Sequence, residues 1–269
     1  MKAKLYYFLL LLIMACLPLS SYAQASGGAI KRPVKKPTTT APAKPARTAQ
    51  PAKPSRPTVN NTPVSYQTIT TNGVSFKMIR IEGQGTPFYI GETEVTQALW
   101  EAVMGSNPSR FKGANRPVEQ VSWNDCKEFI SRLNSITGKK FRLPKEKEWE
   151  YAAKGGSRSH GYEYSGSNEI NDVAWYDKNA CYCGSSNQNS NHPDYGTHNV
   201  KTKKPNELGI YDMSGNVHEW CEDLYDSSGS GRVYRGGGWD DFARCCRVSY
   251  RYYFSPDLWF SNHGLRLAL

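Results

Sequence analysis

Apolar positions recur with a helical period in two stretches of the chain. In SWNDCKEFISRLNSITG, residues 122–138, Cys126, Phe129, Ile130 and Leu133 fall three and four residues apart, which predicts an amphipathic helix with that face in the core. Ser122 is placed to cap it, Asp125 follows three residues on as the reciprocal partner, and Gly138 stops it. In TEVTQALWEAVMG, Thr96 is the expected cap, Leu99, Trp100 and Val103 the inward positions, and Gly105 the stop. A third helix is predicted in FRLPKEKEWEYAAKGG, with Pro144 in its first turn, Glu146 and Glu148 at the positive end of the dipole, and Gly155 and Gly156 past its end. There Trp149 is expected to pack, and Glu148 and Glu150 to be solvated or ion-paired. Residues 157–202 are polar and rich in Gly and Asn, the pattern of long loops.

The last nineteen residues, RYYFSPDLWFSNHGLRLAL, crowd Tyr252, Tyr253, Phe254, Leu258, Trp259 and Phe260 together. Ser255, Pro256, Asp257, Ser261, Asn262 and His263 interrupt any strand period, and proline breaks a ladder. The tail is therefore predicted to be a loop, and loops lie at the surface.

Charge changes the picture only after it is divided along the chain. Residues 1–23 carry Lys2 and Lys4 ahead of an apolar run and a Ser-Tyr-Ala end, the pattern of an export signal. Cys16 in IMAC offers a minority alternative, a lipid anchor. Residues 24–65 hold eight prolines, eight Lys/Arg and no acid; such a segment cannot bury a core and is expected to be an extended spacer. Of the 34 basic residues in the chain, 24 remain in residues 66–269, against 24 acidic ones. The folded part is neutral, which removes the case for a nucleic-acid partner and leaves envelope contact through the basic spacer as the remaining electrostatic option. Residues 66–269 suit one domain.

Besides Cys16 the chain has Cys126, Cys181, Cys183, Cys221, Cys245 and Cys246. Export permits disulfides, but six cysteines allow fifteen pairings and the spacing selects none. Cys181-Tyr-Cys183 lacks the two-residue gap of a zinc knuckle. Trp123-Asn124-Asp125 mimics a sugar-binding triplet of lectins, yet it opens a capped helix, so those side chains are expected to serve the helix terminus.

The segments YIGETEVTQALWEAVMG, RPVEQVSWNDCKEFISRLN, FRLPKEKEWEYAAKGG, NELGIYDMSGNVHEWCED, RVYRGGGW and GLRLAL, in that order over residues 75–269, resemble the formylglycine-generating enzyme or sulfatase-modifying-factor domain. The resemblance implies an irregular α+β fold of C-type lectin-like type, with short strands, few helices and long loops. Enzymes of the family oxidise a client sulfatase cysteine with copper(I) and oxygen, holding the metal between two thiolates. Aligned from RGGGW, the second of those cysteines falls on Cys246 and the first on Asp241. A carboxylate is a hard ligand and does not replace a thiolate for copper(I), so Cys246 is expected to be a vestigial copper ligand. Cys245 is not expected to deputise, because neighbours in an extended segment point to opposite sides. The iron-dependent sulfur-transfer relatives need a His-rich site, and this chain has only five scattered His. The family also binds structural calcium near the GNVHEW segment, for which Asp212, Asn216 and Glu219 offer hard oxygens. The competing expectation is that Asp212 and Asn216 bond the turn backbone while Glu219 pairs with a cation such as Arg235.

Family members lacking the copper pair often carry Asn-rich text where this chain has its aromatics. Against that pattern Gly236, Gly237, Trp239, Cys246, Arg247, Arg251, Pro256, Asp257, Gly264 and Arg266 persist as a frame. Between them stand Asp240, Asp241, Phe242, Cys245, Tyr252, Tyr253, Phe254, Ser255, Leu258, Phe260, Ser261, Asn262 and His263. Each of these residue types is reachable from an Asn codon by changing adenines alone, and Trp259 is one adenine from an Arg codon. The profile is similar to the variable proteins of diversity-generating retroelements. Its composition is that of a paratope, with rings supplying area and small polar groups supplying adaptable hydrogen bonds. The expectation is an exported, non-catalytic display protein that binds a protein or cell-surface ligand through residues 240–263, those slots forming one exposed face. A formylglycine-generating oxidase and a structural envelope protein stay open as alternatives.

Overall fold

A computed structural model of the chain describes residues 63–181, 190–227 and 229–269. The leader, the spacer up to residue 62, Cys16 and Cys183 lie outside the described residues. The fold is α+β. It starts with an antiparallel meander of β1 (Tyr66–Thr71), β2 (Val74–Ile81) and β3 (Phe88–Gly91). The chain joins this sheet slightly before residue 66, since Ser65 O accepts from Arg80 N and Val64 packs on the core.

The first two helices form as their sequence pattern dictates. Helix α1 (Gln97–Met104) is capped by Thr96, whose side chain accepts from Leu99 N, and ends at a left-handed Gly105. Helix α2 (Trp123–Thr137) has the complete Ser122–Asp125 capping box and ends at Gly138. Their inward faces meet where Trp100 stacks on Phe129, centroids 4.8 Å apart. Helix α3 (Glu146–Ala153) starts later than expected. Pro144 stands ahead of the helix, and its carbonyl accepts from Glu222 N. A short α4 (Ile170–Val173) interrupts an otherwise irregular stretch.

The second sheet has the order β6-β5-β4-β7, built from β4 (His218–Leu224), β5 (Arg232–Arg235), β6 (Arg251–Phe254) and β7 (His263–Gly264). Strand β7 runs parallel to β4 and the other pairs are antiparallel. Alternation along strands feeds two cores. Met78, Trp220 and Tyr234 enter the one under α1 and α2, while Ile79, Ile81, Cys221 and Val233 enter the one with Trp149 of α3. The C-terminus closes the domain, with Tyr89 and Leu269 exchanging backbone hydrogen bonds and Arg142 doing the same with Ala268.

Two buried arginines join these layers. Arg266 and Glu219 are both fully buried and pair at 2.6 Å, and Trp149 Nε1 donates to the same carboxylate. Arg235 is equally buried and binds Glu146, Glu150 and the Val248 carbonyl. Glu219 thus pairs with Arg266, not with Arg235, which lies across from it in the ladder. Buried charges persist only when partnered in this way.

Candidate binding surface

The tail is not a pure loop. Residues Tyr252, Tyr253 and Phe254 belong to β6, paired with β5 in the register Tyr252↔Tyr234, Tyr253↔Val233 and Phe254↔Arg232. The strand has only four residues and lies at the sheet edge, which is why a four-residue aromatic run next to Ser255-Pro256 left no readable period. After β6, Leu258 N donates to Ser255 O in a turn.

Beyond β6 the scaffold holds the tail through the tail's own carbonyls. Pro256 O accepts from Asn124 N, Phe260 O from Gln120 N, and Asn262 O from His218 N. Trp239 Nε1 donates to Ser261 O at 2.9 Å. None of these bonds uses a tail side chain. The frame residue Asp257 adds one side-chain contact, accepting from Asn124 Nδ2. Two members of the lectin-like triplet therefore act away from the helix cap: Asn124 grips the tail, and Trp123 donates to Cys221 O.

Side chains freed from holding the backbone point outward. Phe242, Tyr252, Tyr253, Trp259 and Phe260 are 37% to 52% exposed, a large open fraction for aromatics. Asp240 is also exposed and accepts from Asn262 Nδ2. Phe254, Ser255, Leu258, Ser261 and Asn262 are half-buried.

Three positions depart from the expected exposed face. Cys245 and His263 are buried. His263 packs among Tyr234, Trp220, Phe254 and Phe260, and burial, with His218 nearby, holds its pKa well below the usual value. Asp241 is inward-turned, accepting from Gly238 N and pairing with His218 at 2.5 Å. The rings of β6 also pack on different neighbours, although those of Tyr252 and Tyr253 stack on each other with centroids 5.8 Å apart. Tyr252 and Phe254 lie over Tyr234 and His263, whereas Tyr253 lies against Tyr225 and Gly231, where a Cβ would come within 2.4 Å of its ring.

The structure adds residues that the sequence pattern did not single out. Tyr250 lies parallel to Tyr252, centroids 6.4 Å apart, and Arg244 covers Phe242. The signal for Tyr250 was the two-residue step it shares with Tyr252 and Phe254, at positions 250, 252 and 254. Tyr225 enters only through the β4–β5 connection and had no local signal.

The residues at the family's metal positions do not fit either ion. Ala243–Cys246 form a single 3-10 turn rather than an extended segment. Within it the Cys245 thiol bonds the Tyr250 side chain, while Cys246 bonds Phe242 O and lies against Gly237, where a Cβ would meet its sulfur at 2.8 Å. Burial pushes the Cys246 thiol well above its ordinary pKa, with Asp241 adding to it, the opposite of what a thiolate ligand needs. Asp212 accepts from Lys201 N, Asn216 accepts from His198 N, and both Glu219 oxygens face Arg266. Asp212, Asn216 and Glu219 therefore form no open oxygen cage for calcium. Among the described residues no group of three or more acidic, His or Cys side chains is arranged to hold a metal.

Short strands around capped helices, a C-terminus returned beside β3, and a tail carried on one sheet edge define a C-type lectin-like domain of the formylglycine-generating type. The chain belongs to this family: the model of the sulfatase-modifying factor enzyme 1-like domain matches residues 61–269. It is 34% identical to the chaperone protein LppX of Paenibacillus barcinonensis, covering 78% of this chain and 92% of that one. It is 31% identical to the formylglycine-generating enzyme of Streptomyces coelicolor, over 68% of this chain and 61% of the enzyme. Among solved structures it is similar to Treponema denticola variable protein 1, at 33% identity and a TM-score of 0.62, covering 76% of this chain and 98% of that one.

Proposed function

We propose that the protein is exported and non-catalytic, and that it binds a protein or cell-surface ligand through the side chains of its C-terminal tail. One observation carries this reading: the scaffold grips the tail by main-chain carbonyls, so its exposed side chains, unlike the buried His263, can change without loosening the fold. The similarity to Treponema denticola variable protein 1 supports it, as does the mixture of exposed rings with Asp, Asn and Ser, which suits adaptable recognition.

A saturation library at Phe242, Tyr252, Tyr253, Trp259 and Phe260, sorted for protease resistance and for binding to arrays of glycans and surface proteins, tests the reading. Broad tolerance in the stability sort, with binding that tracks the substitutions, is expected. Strong stability losses at most of these positions would make the rings part of the fold and end the proposal. Tight uptake of one copper(I) at Cys246 would favour the oxidase instead.

The resemblance to LppX favours a second reading, in which the same rings hold a polypeptide client. It predicts suppression of client aggregation by the native chain and loss of that effect when the five rings are replaced by serine.

A further inference from the structure

A cavity of about 330 Å³ lies between β2, β3, the start of α1 and the loop at Val200 and Lys201. Of the last nineteen residues Leu267 lines it, and none of residues 240–263 does, so it is separate from the surface described above. Its volume is at the small end of ligand pockets, which combine apolar walls with a few placed polar groups. The walls include Val74, Phe76, Leu99 and Leu267.

Two lysines and two carboxylates line this cavity, and they are unevenly placed. Glu92 is the one carboxylate shared by two lysines: its Oε1 is 3.8 Å from Lys77 Nζ and its Oε2 is 3.0 Å from Lys201 Nζ. Glu94 also lines the cavity, but both its oxygens accept from the interior, one from Val217 N and the other from Asn216 Nδ2. The surplus of cations is therefore confined to the rim, where Lys77 and Lys201 share Glu92, while Glu94 lies bonded in the interior.

Lys201 is placed there deliberately by the backbone. Its φ is 67°, a left-handed conformation unfavourable for a residue with a Cβ. The buried Asp212 holds it by accepting from Lys201 N at 2.8 Å. Such strain persists only where the surroundings over-determine it, and it concentrates at binding sites. Lys77 and Lys201 each also lie over a tyrosine ring, Tyr66 and Tyr211, which keeps the ammonium groups at the rim. The chain's own spacer, with eight cations and no acid, has the wrong charge to fill such a mouth.

We propose that this cavity binds a small amphiphilic monoanion, its anionic head between Lys77 and Lys201 and its apolar body over Val74, Phe76 and Leu99. Calorimetric titration of the full-length protein with octanoate tests this, beside octyl glucoside as the neutral analogue and octyltrimethylammonium as the cationic one. Octanoate is expected to bind with one-to-one stoichiometry, the glucoside more weakly, and the cation not at all. Lys201→Gln and Lys77→Gln are each expected to weaken octanoate binding roughly tenfold, the loss of one charge-assisted contact. Ala98→Phe, which fills the space from α1, is expected to abolish binding, and Val74→Phe does the same from β2 should the first variant fold poorly. Tyr253→Ala on the tail is expected to bind as the wild type does. No binding of octanoate, equal binding of the cationic analogue, or unchanged affinity in both lysine variants would each overturn the proposal.

Discussion

The Asp241 carboxylate lies 2.5 Å from His218 Nε2 and joins the segment that follows β5 to β4, an inner strand of the second sheet. Where copper enzymes of the family are expected to place a thiolate, this chain has a carboxylate in contact with a buried histidine. Burial works against the Asp241 charge, but His218 and the Gly238 N–H outweigh it and hold the carboxyl below its usual pKa. A depressed carboxyl stabilises the fold above its unfolded pKa of about 3.9, and that contribution is lost as pH falls through the folded value. Asp241→Asn is expected to lose about 1.5–3 kcal/mol at neutral pH, the range for a hydrogen bond to a charged group. Urea unfolding at several pH values would show the variant with a shallower decline below about pH 4 than the wild type.

His263 produces a second acid-sensitive window at higher pH. Its neutral form is favoured by burial first and then by His218, so the unfolded chain takes up the proton before the folded one. Stability is full above about pH 6.5 and falls as the medium becomes more acidic than that. Replacing His263 with Phe should flatten the thermal-stability profile just below this pH. An unchanged profile would place the acid sensitivity elsewhere.

The Glu219–Arg266 pair connects the GNVHEW and GLRLAL segments through the centre of the domain. Removing one partner leaves the other charge buried and unpaired, at a cost of about 3–5 kcal/mol. Arg266→Met is expected to show this in chemical denaturation. Glu219→Leu combined with Arg266→Met should recover part of it, because no lone charge remains.

Trp239 tests the main-chain grip on the tail. Trp239→Phe removes the Nε1 donor to Ser261 O and should cost about 1 kcal/mol. Hydrogen exchange should accelerate over residues 258–263 more than over α2.

The free thiols of Cys126, Cys221, Cys245 and Cys246 are buried, and burial raises the pKa of each. A chromogenic disulfide reagent is expected to leave them unmodified in the native protein and to react in denaturant. Rapid native reaction at Cys246 would restore a reactive thiol to the family's metal position.

Local patterns determined a good part of this protein. The caps at Thr96 and Ser122, the stops at Gly105 and Gly138 and the inward faces of α1 and α2 were legible because each depends on residues within a turn or two of one another. The ordered family segments likewise carried the fold. Only the tertiary structure decided that Glu219 faces Arg266 rather than Arg235, that Asp241 and His263 turn inward, and that Tyr253 packs on Tyr225 while Tyr252 packs on Tyr234. Those outcomes depend on strand register and on partners far apart in the chain. A side chain's burial there is decided by what packs over it, and no local spacing records that.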